Sequence, residues 1–156
     1  MIAHTTSILL AATLTIVGLL HVLWGLGSTF PAGSEEKLAR MVVGRRGITK
    51  MPSMAACFFV AGGLFVSAVL ALMLGRIVPM PISKWIVAAA GVAAAIVFAG
   101  RGIVGVLPAF ERAAPEQPFL RLNRHFYSPL SFLIGVGFMV LTLSLPYWTW
   151  RLGLIH

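Results

Sequence analysis

Aspartate is missing from this sequence altogether, and four glutamates are its only acidic residues. Glu35, Glu36, Glu111 and Glu116 all lie between the apolar stretches, not inside them. Paired intramembrane carboxylates are thereby excluded. Proton pumping through acidic residues and sites for hard cations are disfavoured. Cysteine is nearly missing too. The single Cys57 excludes an internal disulfide and a multi-cysteine metal site, and it reads as a small packing residue. Charge of either sign is sparse, 10% of residues against 59% hydrophobic. That leaves too few polar side chains to coat a soluble domain of 156 residues.

The apolar residues that dominate instead fall into four runs. They cover about residues 7–28, 52–74, 84–106 and 129–147, each long enough to cross a ~30 Å hydrocarbon core. Most of their length shows no polar face, so the bilayer is the solvent. The fold class predicted is all-α integral membrane. It is an antiparallel four-helix transmembrane bundle, with a short amphipathic surface segment in loop one and a single domain over residues 1–156. No Lys or Arg precedes the first run, and its apolar core is too long for a cleavable signal peptide, so it reads as a retained helix.

The loops carry the punctuation. In loop one, Pro31 and Gly33 break the helix, and Ser34 reads as an N-cap with Glu35 and Glu36 at the positive end of a short helix. Leu38, Met41 and Val42 share a face, which predicts an amphipathic segment on the membrane surface. The alternative is an irregular basic loop. In the second span Ala61, Gly62, Gly63, Ser67 and Ala71 offer small surfaces for close helix packing. The third span, capped by Ser83 and rich in Ala and Gly from Ala88 to Ala95, is predicted to be central. Ser128 reads as the cap of the fourth span, with Pro129 at its first position. Tyr147, Trp148 and Trp150 read as an aromatic belt at its far end.

The net charge is +8. Nine basic residues lie in or beside loops one and three, and three (Arg76, Lys84 and Arg151) on the opposite side. The positive-inside bias puts loops one and three in the cytoplasm and both termini outside. Headgroups account for the positive charge, and no nucleic-acid motif is present.

The unusual polar residues gather at one membrane face. His21 and Trp24 lie near the loop-one end of span one, and Arg101 near the loop-three end of span three. Asn123, His125 and Tyr127 come just before span four. This predicts a half-buried pocket with His21, Trp24, Gly25, Arg101, Asn123 and Tyr127 as ligand-binding residues. Bland alternatives stand beside it. His21 can bond a helix carbonyl, Trp24 can anchor at the interface, and Arg101 can snorkel to headgroups. No Ser-His-Asp set and no H-E-x-x-H is present, and His21 and His125 occur in no haem motif. No metal and no cofactor are expected.

Three segments together resemble one family. They are His21-x-x-Trp24-Gly25-x-Gly27, Val97-Phe98-x-x-Arg101-Gly102, and Phe119-x-Arg121-Leu122-Asn123-x-x-x-Tyr127-Ser128-Pro129-Leu130. The family is a set of small bacterial membrane proteins known as domain of unknown function three-nine-nine-five. The resemblance implies a bacterial inner-membrane protein of four helices and implies no activity. Its members tend to carry Asp at the place of Asn123 and after the third-span arginine, so acid–base work at those positions is disfavoured here.

The leading expectation is a membrane protein that binds a small amphiphilic or anionic, lipid-like ligand at this face, as a carrier or accessory subunit. The first alternative is a small membrane enzyme acting on a lipid or isoprenoid headgroup. There His21 or Tyr127 would donate a proton and Arg101 would hold the charge. The second is a purely structural subunit of a larger membrane complex. Expected partners are membrane lipids, the ligand, and either a second copy or a larger membrane complex.

Overall fold

The computed structural model describes residues 2–80 and 82–145. All elements among them are helical: α1 (Ile2–Gly25), α2 (Glu35–Val42), α3 (Met54–Leu74), α4 (Lys84–Val104), α5 (Pro108–Ala113), α6 (Phe119–Leu122), a π-helical turn (Asn123–Tyr127) and α7 (Ser128–Leu143). Four stretches are long and apolar enough to span a bilayer: α1, α3, α4 and the continuous run Phe119–Leu143. The chain is a multi-pass membrane protein built as a four-helix bundle. The expected aromatic belt at Tyr147, Trp148 and Trp150 lies outside the described residues.

The spans pair off. α1 packs along α3, and α4 packs along α7, with fewer contacts joining one pair to the other. The second pairing is close because it is glycine on both sides. A Cβ on Gly135 would sit 2.7 Å from the Ala99 Cβ and 2.8 Å from the Ala95 carbonyl. A Cβ on Gly102 would meet the Phe132 backbone at 2.7 Å. Without a water-driven force between helices in lipid, such close backbone packing supplies dispersion energy in its place. Leu14, Phe138 and Leu141 are fully buried where the two pairs meet. Within the first pair, the buried Ser7 hydroxyl of α1 donates to the Ala71 carbonyl of α3 at 2.8 Å.

The third span is not central. Val92, Ile96 and Val97 on α4 are exposed, and only the face carrying Val87, Ala88, Gly91 and Ala95 is buried. Its small residues let one neighbour, α7, come close. They do not surround it with helices. On α3, Ala61 and Ala71 are buried as expected, but Gly62 and Gly63 face outward with open space around them.

The ends of the helices follow the capping rules with two exceptions. Ser34 accepts from the Lys37 N–H at 3.4 Å, with Glu35 and Glu36 in the first turn of α2. Ser53 accepts from the Ala56 N–H at 3.2 Å to start α3. Ser83 holds the cap position of α4 with no side-chain bond to the helix. Ser128 is the larger difference. It has helical backbone angles and lies inside the fourth span, which begins at Phe119 and not near Pro129. Pro129 does not break this helix because the turn before it is already wide. In that π turn the Ser128 N–H bonds back five residues to the Asn123 carbonyl.

The loop-one helix is amphipathic, and its apolar face is turned onto the end of the bundle. Leu38 and Ala39 are fully buried, while Glu35, Glu36, Lys37 and Arg40 are exposed.

Candidate functional site

The end of α1 shows what the first motif builds. Gly27 has φ +89, the left-handed region. It allows the Ser28 N–H to bond the Leu23 carbonyl at 2.9 Å, a six-to-one closure of the helix. The chain then turns under Trp24, whose indole N–H donates to the Phe30 carbonyl at 2.8 Å. Gly25 packs against α3, where an added Cβ would lie 3.2 Å from the Cys57 Cβ. The His21 and Trp24 rings lie against each other at a tilt of 57°, with centroids 4.8 Å apart. Its Nδ1 lies 2.8 Å from the Val17 carbonyl. A carbonyl only accepts, so Nδ1 carries the proton.

On the facing pair, the π turn does the positioning. In a regular α-helix residues five apart point about 140° away from each other. The wider turn brings Asn123 and Ser128 onto one face, with the Ser128 hydroxyl donating to Asn123 Oδ1 at 3.1 Å. Both side chains are buried. Arg101 reaches them from α4. Its Nη2 donates to Asn123 Oδ1 at 3.0 Å, and its Nη1 to the Ser128 hydroxyl at 3.5 Å. The Asn123 amide donates in turn to the Gly105 carbonyl at 2.5 Å, satisfying an end of α4. The guanidinium carbon lies 5.0 Å from the centre of the Phe110 ring, in cation–π range. Arg101 therefore turns inward and does not extend to headgroups.

Among the described residues this guanidinium has no carboxylate partner. The three ion pairs among the described residues join Arg40 to Glu36, Arg40 to Glu116 and Arg124 to Glu111. The hydrogen-bond acceptors held against Arg101 are a neutral amide and a hydroxyl.

A cavity of about 410 Å³ lies between the helix pairs at this end of the bundle. His21, Trp24, Arg101 and Tyr127 all line it. Leu14 and Ile134 close its deep end, and Met41 and Val42 of α2 cover its mouth. A neighbouring cavity of about 360 Å³ shares Arg101, His21 and Trp24 and runs on to Met51 and Cys57. Two sequence-predicted residues are not in the wall. Asn123 stands behind Arg101 and holds it, and Gly25 serves α1–α3 packing. A larger depression of about 550 Å³ lies along Gln117 to His125. One chain segment forms it, and His21, Trp24, Arg101 and Tyr127 do not line it. The cavity between the helix pairs, built from five separated segments, is the better candidate.

Several residues of the site carried no signal in the sequence. Ser128 reads there as a cap, and Phe110 and Phe119 as loop residues. Glu116 reads there only as a glutamate between the apolar stretches. It is in fact a clasp between the loops. Glu116 Oε1 accepts from the Gly47 N–H at 2.8 Å, Oε2 lies 3.5 Å from Arg40 Nε, and the Glu116 N–H donates to the Gly44 carbonyl at 3.1 Å. Phe119 fills the space beside Gly44, where any side chain would strike its ring. The Tyr127 hydroxyl donates to the Met41 carbonyl at 3.4 Å, a second tie to α2.

The family comparison can be set against this geometry. The model of a family described as proteins of unknown function (DUF3995) matches residues 14–138. The chain belongs to this family. The match takes in α3, α4 and the π turn whole, the second half of α1, most of the fourth span, and both walls of the cavity. No curated protein and no solved structure is similar to the chain at a significant level. Family membership therefore supplies no activity, and function has to be argued from the site.

The clasp makes a prediction. Glu116→Ala removes an acceptor and an ion pair that hold α2 down, worth about 1 kcal/mol together at a partly exposed site. With Cys57→Ala and a reporter Val42→Cys, maleimide labelling at position 42 should speed up about fivefold. An unchanged labelling rate would show that Glu116 does not hold the cover.

Proposed function

We propose that this DUF3995 protein binds a small amphiphilic or anionic ligand in the cavity between its two helix pairs, and serves as a membrane-embedded carrier or accessory subunit. One observation carries the reading: Arg101 presents a guanidinium to a mostly apolar cavity with no carboxylate to neutralise it. An ionised side chain away from water is costly, about 3 kcal/mol for arginine at the centre of a membrane helix on insertion scales and less near a helix end such as that of Arg101. Asn123, Ser128 and the Phe110 ring lower that cost without cancelling the charge. A ligand anion would complete the pairing with charge-assisted hydrogen bonds.

The enzyme reading has less support. The Tyr127 O–H is bonded to the Met41 carbonyl and His21 Nδ1–H to the Val17 carbonyl, which leaves only His21 Nε2 for proton transfer, and no carboxylate is among the lining residues to assist it. A purely structural role draws support only from the outward small residues Gly62 and Gly63. We place the protein in the bacterial inner membrane with loops one and three cytoplasmic. Nine basic residues against three support that orientation. The cavity mouth then faces the cytoplasmic leaflet.

The test is native mass spectrometry of the protein after incubation with vesicles of bacterial lipid extract. A bound small molecule is expected on the wild type. Its occupancy should fall at least tenfold in Arg101→Met, equivalent to about 1.4 kcal/mol. Equal occupancy in the variant would remove the basis of the reading. Methionine keeps most of the stem's volume, and a melting curve of the variant confirms that the bundle is intact.

A further inference from the structure

The cavity has a direction, and its direction and charge together narrow the ligand. Its charged and aromatic groups, Arg101, His21, Trp24 and Tyr127, are at the loop end. Leu14 precedes His21 by seven residues on α1, and Ile134 follows Tyr127 by seven along the fourth span. At 1.5 Å per residue the apolar floor is therefore about 10 Å deeper toward the bilayer centre. Phe98 lies one helical turn below Arg101 on the same wall. A volume of about 410 Å³ is at the small end for ligand sites and suits one hydrocarbon chain, not two.

The charge is single. Arg101 is the one Lys or Arg among the residues lining this cavity. The nearby Arg124 is engaged by Glu111, with contacts of 2.7 to 2.9 Å. A phosphate monoester carries close to two negative charges at neutral pH. One of them would stay uncompensated in an apolar site, which is unfavourable. A carboxylate matches Arg101 in charge and in planar shape.

We infer that the occupant is a single-chain amphiphilic carboxylate, seated with its head at Arg101 and its tail toward Leu14 and Ile134. That alignment is the one a leaflet lipid already has, head at the interface and tail toward the midplane. Access is lateral. Phe126 lines the cavity and is 57% exposed, and Val17 and Leu20 on α1 are partly exposed on the facing wall. The inference rests on the ligand-binding reading above and specifies its ligand class.

Trp24 makes it testable, because it lines the cavity at the head end. In nanodiscs, with the other three tryptophans replaced by phenylalanine, its fluorescence is titrated with two brominated dodecanoates. One carries bromine beside the carboxylate and the other at the chain terminus. Quenching several-fold stronger by the first is expected. Dodecanol and dodecyl phosphate should each bind at least tenfold more weakly than dodecanoate, and acetate should not compete. Ser131→Leu, which adds bulk to the wall, should weaken dodecanoate at least threefold with the melting temperature unchanged. Stronger quenching by terminal bromine would overturn the orientation. Tighter dodecyl phosphate or dodecanol, or full competition by acetate, would overturn the ligand class and leave anion or amphiphile binding in place. Failure of every probe together with empty wild-type protein in lipid extract would remove both this inference and the function it rests on.

Discussion

Asn123→Leu is expected to destabilise the bundle by about 3 kcal/mol. The side chain has no exposed surface and makes two kinds of contact at once. Its carbonyl oxygen accepts from Arg101 and from Ser128, and its amide donates to the Gly105 carbonyl. Leucine is of similar size but removes all of these. A hydrogen bond to a charged group is worth about 1.5–3 kcal/mol, and the buried donors and acceptors left behind add their own desolvation cost. Arg101 would be left with the Ser128 hydroxyl, at the long distance of 3.5 Å, and the face of Phe110. Unfolding by SDS titration in mixed micelles reads the loss. A change below about 1 kcal/mol would mean that Arg101 finds another partner and that the cluster is not what joins α4 to the π turn.

The membrane architecture was legible because lipid imposes few solutions. A run near 20 apolar residues without charge has to be helical, since no water is present to satisfy its backbone. α3 and α4 therefore begin and end within a few residues of expectation. α2 was legible from Ser34, Glu35 and Glu36, whose capping chemistry is local. What lay beyond reading was the relation between helices. Alanine and glycine on α4 signal close approach to a neighbour. They do not say how many neighbours there are, and α4 proved to have one close partner and a lipid-exposed face.

The site divides the same way. His21, Trp24, Arg101 and Tyr127 stand out as polar or aromatic residues at one end of the spans, and they line one cavity. The π turn has no compositional mark. Ser128-Pro129 is the usual signature of a helix start, and it misleads because the wide turn ahead of it keeps the helix continuous. Once that turn is in place, Asn123 and Ser128 face Arg101, and the roles sort themselves. Asn123, expected as a ligand contact, stands outside the cavity lining and bonds Arg101. Gly25 and Gly27 become packing and turn residues, which is a local role the motif does not separate from binding. Glu116 gives no sign of its clasp, since its partners are 69 and 76 positions away in the chain.

The charge on Arg101 is the centre of the account, and Asn123 is the position from which it can be switched. Asn123→Asp keeps the size and planar shape of the side chain. It places a carboxylate oxygen 3.0 Å from Nη2, where the amide oxygen now sits. The buried pair would hold the aspartate ionised and neutralise the guanidinium from behind. The amide's bond to the Gly105 carbonyl is lost and a carboxylate oxygen faces that carbonyl instead, a cost of about 1–3 kcal/mol that the new ion pair with Arg101 offsets in part, so a melting curve has to show the variant folded. The cavity keeps its shape and its lining residues, because Asn123 is not among them. Only its net charge changes. The decisive measurement is dodecanoate binding to wild type and Asn123→Asp side by side in nanodiscs, with Arg101→Met as the reference for complete loss. The account predicts at least a tenfold fall in affinity in Asn123→Asp, about 1.4 kcal/mol, with the bundle folded. Unchanged affinity in a folded Asn123→Asp protein would contradict it, because the anion would then be bound without the charge of Arg101.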